Sequence, residues 1–554
     1  MLANRIKNAF PNIRSLFAWS LLLLSLLAVP AISQAASPVI FYSDLNSGPN
    51  TGGENNQGVY VTISGNNFGA TRGSGYVTVG GGQVTNYPVW TNTKIVFQLG
   101  AATASGNIVV ISGTGESSNG LPFTVRAGRI FFVSPTGTGS GNVTSPMSPY
   151  NVTNNIQAGD TYYFRAGAYS GTFSGTGWTN ANFVFGASQR GTPASPVALV
   201  GYPGEVATLV APAGSNNIAL ANGDANASAS NASAYMTFAN FTIVGGENCI
   251  SGGGFYSYAK SGAPGVRVVN NILSATYTGN TMSGLIVFQA DHWRIWGNEI
   301  KDTGTTPPIN NNHAIYVTVA SSDVDIGWNY LHNLRMGHVI QVHTDAGGTP
   351  GCYTFTDVRI HDNVITATNI DDSRGINFGH TCSDSYGAVY NNILYHLGQS
   401  FSAIAAYTGT WKVYNNTLYD IHSDPMVWVT EAGIIEAKNN VFYSNGTGGY
   451  IGPAGTSWSQ LTLSNNLYLG NGNGPTQDIA PFNADPLFIN PIAGNFHLQS
   501  GSPAINHGSS SVNTVVTQDH DGVGRPQNSG FDIGAYEMTG TSLPRPQNLS
   551  IRKL

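Results

Sequence analysis

The stretch that decides the fold is Trp293-Arg294-Ile295-Trp296-Gly297-Asn298-Glu299-Ile300, with its echo Val324-Asp325-Ile326-Gly327-Trp328-Asn329-Tyr330-Leu331. In both, an asparagine carries apolar residues five and three positions before it and two after it. The frame returns as Val358, Ile360 and Ile365 about Asn363, and as Trp411, Val413 and Leu418 about Asn416. Alternation at period two marks short strands with one inward face.

Working outward, the frame's asparagines are Asn240, Asn271, Asn298, Asn329, Asn363, Asn392, Asn416, Asn440 and Asn466, at gaps of 31, 27, 31, 34, 29, 24, 24 and 26 residues. A period in this range predicts a solenoid with one coil per repeat. Leucine-rich repeats share the period, but their leucine frame is absent here. Between two strands of one coil the chain must bend sharply. Asn tolerates the left-handed conformation that such a bend needs. Stacked Asn side chains also hydrogen-bond along an axis as a ladder. The asparagines therefore read as structural. Gaps of 31 and 34 between Asn298 and Asn363 mark extra loop length, where function is readily inserted.

The solenoid has a recognisable start. Arg129-Ile130-Phe131-Phe132-Val133-Ser134-Pro135 leads to Gly159-Asp160-Thr161-Tyr162-Tyr163-Phe164-Arg165-Ala166-Gly167-Ala168-Tyr169. This resembles the opening of pectate-lyase-like right-handed parallel β-helices, in which it caps the solenoid and begins the first coil. The far end runs through Ala484-Asp485-Pro486-Leu487-Phe488, Gly501-Ser502-Pro503-Ala504-Ile505-Asn506, Asp519-His520-Asp521-Gly522-Val523-Gly524-Arg525-Pro526 and Asp532-Ile533-Gly534-Ala535-Tyr536-Glu537. It resembles the C-terminal choice-of-anchor segment of secreted bacterial β-helix proteins. Its acidic residues and Arg525 read as a closing network, Arg525 pairing with Asp532 or Glu537. The β-helix is thus expected over 128–538, with a flexible tail at 539–554.

A different unit precedes it over 38–126. Val59-Tyr60-Val61-Thr62-Ile63, Tyr76-Val77-Thr78-Val79, Ile95-Val96-Phe97 and Ile108-Val109-Val110-Ile111 are short strands set between Gly/Asn turns, the pattern of an immunoglobulin-like β-sandwich. Pro38-Val39-Ile40, Ile63-Ser64-Gly65-Asn66-Asn67-Phe68-Gly69 and the closing Phe123-Thr124-Val125 resemble a TIG (IPT) domain. That resemblance implies a spacer, stalk or binding module.

Residues 1–35 read as a signal peptide. Arg5, Lys7 and Arg14 precede the apolar run 16–32, and Ser33-Gln34-Ala35 offers a cleavage site. Export without membrane insertion is expected, and its cleavage takes the formal net charge from −6 to −9. An acidic chain with 9% charged residues disfavours nucleic acid as a partner. A monomer that meets a polysaccharide along its groove is expected. Of three cysteines, Cys352 and Cys382 lie about one repeat apart, where a disulfide is open to them. Cys249 reads as a small buried residue.

One strand of each coil follows the Asn-bearing segment. Aligned on Ile315, Ile340, Ile376 and Ile404, these strands place Tyr316, Gln341, Asn377 and Ala405 in one outward column and Thr318, His343, Gly379 and Tyr407 in the next. Asp345, His380 and Asp384 follow in loops. His313, His338 and Arg374 enter at the turn. The patch holds four of the twelve histidines. β-Elimination at a uronate needs a cation for the carboxylate, a base for the C5 proton and an acid for the leaving oxygen. Arg374, His343 and Tyr316 suit these roles, with His380 and Asp345 as further catalytic candidates. Gln341, Asn377, Tyr407, His338 and His313 are candidate substrate-binding residues. The alternatives are hydrolysis by paired carboxylates and a non-catalytic binding or adhesion surface on the same fold. Asp345, Asp371, Asp372 and Asp384 could together hold Ca2+, although no loop calcium spacing is present. Against the best-known pectate lyases, no Asp trio lies on the strand face and no Arg-x-Pro-x-x-Arg segment occurs.

Overall fold

A computed structural model describes residues 36–173, 181–211, 217–219, 233–246, 248–252, 264–275, 285–309, 312–344, 352–367, 373–397, 402–422, 425–444, 449–453 and 457–539. The expected signal peptide and most of the expected tail lie outside them, as do Asp345, Asp371 and Asp372. The described residues from Ser37 onward belong to one compact unit.

The N-terminal part is a β-sandwich. One antiparallel sheet joins Val39–Ser43, Tyr60–Asn66, Lys94–Gln98 and Asn86–Trp90. The other orders Ser47–Gly48, Leu121–Val125, Gly106–Ile111, Tyr76–Val79 and Gly82–Gln83. Alternate residues such as Val61, Ile63, Ile95 and Phe97 are fully buried between them, as period-two patterning requires.

The rest is a parallel β-helix with three strand positions per coil. The first sheet climbs from Ile130–Val133 through Arg294–Trp296, Ser322–Gly327 and Thr356–His361 to Leu461–Ser464, every pairing parallel. A second runs from Gly167–Tyr169 to Phe482–Asn483. The third comprises Asn217–Ala219, Asn248–Gly252, Ile286–Phe288, Ile315–Thr318, the end of Tyr330–His343, Ser373–Phe378, Ile404–Ala406, Val427–Val429 and Ile451–Pro453. Tyr330–His343 turns the corner from second to third sheet in one strand. Inside, Phe288 stacks on Trp293 at 4.3 Å and Phe378 on Trp411 at 3.6 Å, centroid to centroid.

The asparagine ladder exists, with two corrections. Asn298 Oδ1 accepts from the backbone N–H (3.0 Å) and Nδ2 (3.1 Å) of Asn271, while its own Nδ2 donates to Val268 O and Asn329 Oδ1. The motif repeats through Asn329, Asn363, Asn392, Asn416 and Asn440 to Asn466, where Asp478 Oδ2 ends it at 2.8 Å. The first correction is that the left-handed residue is the one before each ladder asparagine: Asn270, Gly297, Trp328, Asp362, Asn391, Asn415, Asn439 and Asn465. Turning the chain and filling the ladder are separate tasks for successive residues. The second is that Asn240 belongs to the turning column (φ 61°). Its coil presents Phe241 to the ladder, through its backbone N–H to Asn271 Oδ1.

The sandwich does not stand off as a stalk. It lies along the first sheet, sharing a core with Phe132, Tyr163, Ala198, Val200, Ala239 and Val269. Both faces of those strands are buried, which explains their continuous apolar runs. Polar contacts fix the docking: Tyr163 Oη bonds both N and O of Tyr60, Tyr42 Oη donates to Asn270, and Arg267 donates to Ser43 O. The C-terminal segment covers what the sandwich leaves. Val512, Val516 and Phe531 pack on Tyr414 of the first sheet. Phe488, Phe496, Ile533 and Ala535 pack on the second-sheet residues Ile393, Tyr419, Val441 and Leu467. Arg525 pairs with Glu537 at 2.8 Å, both side chains sealed from solvent; Asp532 contributes its backbone carbonyl. Among the described residues, none of these covering clusters includes a third-sheet strand.

Candidate functional site

Among the described residues, the covering clusters lie on the first sheet and on the later coils of the second, which makes the third sheet the candidate ligand face. Its register aligns Ile315, Ile340, Ile376, Ile404 and Val427 inward. Tyr316, Gln341, Asn377, Ala405 and Trp428 therefore share an outward column. Thr318 pairs with His343 in the column beyond. Extending the sequence alignment by one coil to Met426-Val427-Trp428-Val429 would have found Trp428.

At the entering turn, His338 aligns with Arg374. His313 and His338 are buried, 3% and 6% exposed. His313 Nδ1 contacts His338 O at 2.7 Å. Burial pushes His313 down to about 4, with His343 and Arg374 adding to the effect, and carries His338 well below the usual imidazole range. Both are neutral groove-floor groups that no sugar touches without rearrangement. Tyr316, at 6% exposure, sits against His313 with ring centroids 5.2 Å apart. Asn377 Nδ2 reaches Gln341 Oε1 at 3.5 Å.

The accessible groups form an arc across three rungs. His343 meets His380 (5.6 Å between centroids), His380 meets Tyr407 (5.0 Å), and Tyr407 meets Trp428 edge-on (5.7 Å, 74°). His380 is 59% exposed, and its Nδ1 lies 3.3 Å from Glu431 Oε2. Gly379 makes room for the arc: a Cβ there would fall 2.0 Å from Cδ2 of His343. The Cys352–Cys382 disulfide anchors the loop just beyond His380. Arg374 is half-buried, and desolvation lowers its guanidinium while Tyr407 raises it. Burial and Glu431 raise the Tyr407 phenol, and Arg374 acts against them. Tyr407 thus lies in the fields of both Arg374 and Glu431.

The arrangement brings His343, His380, Tyr407 and Arg374 together. It leaves Tyr316, His313 and His338 beneath the surface. Asp384 accepts from Thr354 Oγ1 at 2.8 Å. Among the described residues no group of three His, Cys, Asp or Glu is placed to hold a metal ion. Glu431, absent from the sequence-derived site, had no motif to announce it.

Comparison with known proteins adds the following. Residues 46–125 match the IPT/TIG domain. No curated protein matches the chain. Among solved structures, it is similar to the Gamma-CGTase of Alkalophilic bacillus clarkii (27% identity, 20% of this chain and 16% of that one, TM-score 0.14). It is also similar to the pectate lyase Pel9A (13% identity, 74% of this chain and 96% of that one, TM-score 0.34). A third likeness is to the PL6 family alginate lyase AlyGC (12% identity, 76% of this chain and 59% of that one, TM-score 0.37). The fold rests on the strand pairing itself.

Proposed function

We propose that the chain is an exported polysaccharide-active protein whose third-sheet groove cleaves a uronate-containing glycan by β-elimination. The observation that carries this reading is the arc His343–His380–Tyr407 beside the Arg374 guanidinium, on a sheet that, among the described residues, none of the covering clusters includes. Arg374 would neutralise the uronate carboxylate and so acidify its C5 proton. An imidazole of the arc would take that proton. His380 suits this better than His343, because Glu431 at Nδ1 fixes the ring and leaves Nε2 to accept. Tyr407, its phenol held neutral by burial and Glu431, would donate to the leaving oxygen. This moves the acid role from Tyr316, which is buried, to Tyr407, and makes His343 the neighbour that sets the ring of His380.

A second reading is a binding groove without chemistry, favoured by the Tyr407–Trp428 aromatic pair. One experiment separates the two. The protein lacking residues 1–35 is incubated with acidic and neutral polysaccharides, following unsaturated-uronate absorbance and reducing ends in parallel. Elimination predicts absorbance that is lost in Arg374→Ala and His380→Ala. Reducing ends without absorbance would mean hydrolysis. Retention on a polysaccharide gel with neither signal would mean binding alone.

A further inference from the structure

The groove's charge is sparse, and this says something about its ligand. Of the third-sheet strands, Ser373–Phe378 carries Arg374; Arg335 lies in the first half of Tyr330–His343, paired with the second-sheet strand before it; the other strands contain no Lys or Arg. Beyond Arg374 the next cations in the sequence are Lys412 and Lys438, both in first-sheet strands on another side of the solenoid, and then Arg525. In the direction of the later coils the groove offers Tyr407 and Trp428 instead, with the exposed carboxylate of Glu431 near Tyr407.

Rungs of a parallel sheet rise ~4.8 Å, close to the length of one sugar residue in an extended glycan. A chain lying along the axis therefore presents about one residue per rung. A polymer with a carboxylate on every residue would find one guanidinium, then a flat apolar shelf, then a repelling Glu431. Like charges brought together without a counter-ion cost binding. A polymer in which a uronate is flanked by neutral sugars meets the opposite situation. Its carboxylate reaches Arg374, and two rungs on a pyranose can lay its C–H face on Trp428, as the apolar walls of sugar and small-molecule sites allow.

We propose that the groove has two chemically distinct subsites two rungs apart, an anion subsite at Arg374 and a neutral-sugar platform at Trp428, and that its substrate class is a mixed glycan of isolated uronates among neutral sugars. This rests on the reading of the groove given above and narrows its substrate. Trp428 is a specificity residue; it takes no part in bond breaking.

The test compares polygalacturonate and alginate, charged at every residue, with deacylated gellan, whose main chain sets one 4-substituted uronate among neutral sugars so that elimination can cleave it, and with uncharged xylan. The mixed glycan should exceed the homopolyuronates by at least ~10-fold in kcat/KM. Trp428→Ala should raise KM on it ~10-fold with kcat nearly unchanged, and Trp428→Phe should restore most of the loss. Trp428→Lys should shift preference toward the homopolyuronates. Melting temperatures of all three variants check that the coil is intact. Arg374-dependent cleavage that favours homopolyuronates, or that is indifferent to Trp428→Ala and Trp428→Lys, overturns the proposal and leaves the groove reading standing. No cleavage and no retention of any of these polymers overturns both.

Discussion

Two outward faces of the same solenoid, about the same coils, carry histidine among charged and aromatic groups and do opposite things with it. On the first sheet, His361 lies between Asp325 (Nε2 to Oδ1, 2.9 Å) and Asp362 (Nδ1 to Oδ2, 2.7 Å). Burial opposes its charge, but the two carboxylates outweigh burial and raise it to about 9. Asp325 is in turn gripped by Arg359, which also reaches Asp323, which holds Arg294. On the third sheet, His313 is buried as deeply without a carboxylate, and burial takes it to about 4. Burial alone therefore does not set a histidine's charge; the partner does. The first face is a closed network that serves docking beside the sandwich. The third leaves its imidazoles, phenol and guanidinium facing a groove.

The comparison breaks most visibly at Asp325. Asp325→Ala removes the carboxylate shared by buried His361 and half-buried Arg359, each of which keeps another carboxylate partner, and should cost about 2–3 kcal/mol in urea unfolding. Glu431→Ala, on the exposed side of the groove, should cost less than ~1 kcal/mol. Equal costs would erase the distinction between the faces. Next in size, His380→Ala and Tyr407→Phe should each lower kcat/KM by ~100-fold or more, with unfolding midpoints close to that of the parent chain. Gly379→Ala should displace the His343 ring and reduce activity by ~10-fold or more; activity equal to the parent's would remove His343 from the arc.

The effects of the two buried histidines show as slopes across pH. The raised His361 stabilises the fold below its unfolded value near 6.5, and that contribution is lost as pH rises toward about 9. The depressed His313 works the other way. Its contribution is present above about 6.5 and is lost as pH falls toward about 4, because the unfolded chain then binds the extra proton. Each slope is at most ~1.4 kcal/mol per pH unit. Unfolding free energies measured from pH 4 to 9 should lose their acid limb in His313→Gln and their alkaline limb in His361→Gln.

Much of this was legible before any coordinates. The Asn frame gave the coils, and alignment on Ile315, Ile340, Ile376 and Ile404 put Tyr316, Gln341 and Asn377 in one column, as the pairing has them. A strand's period of two fixes which side chains share a face. It does not say how deep they lie. Tyr316 and Asn377 point outward and are nonetheless buried, and His313 and His338 drop below the floor at the bend, where alternation lapses. Asn240 was drawn into the ladder because turning and ladder positions are adjacent and both accept Asn. Glu431 was missed because it sits after its strand, in a turn whose path no periodicity dictates.

What the sequence determined by itself is what repeats locally: the coil, its inward face, the ladder and the sandwich strands. These follow from short-range patterning, in which each residue's role is set by neighbours a few positions or one coil away. Which face stays open was decided only by the tertiary structure. It depends on where residues 39–66 and 488–537 dock, on strands as far away in sequence as 228 positions for Tyr42 on Asn270 and 127 for Gln518 on Asn391. Those contacts are matched by shape and burial, and they leave no period in the sequence to read.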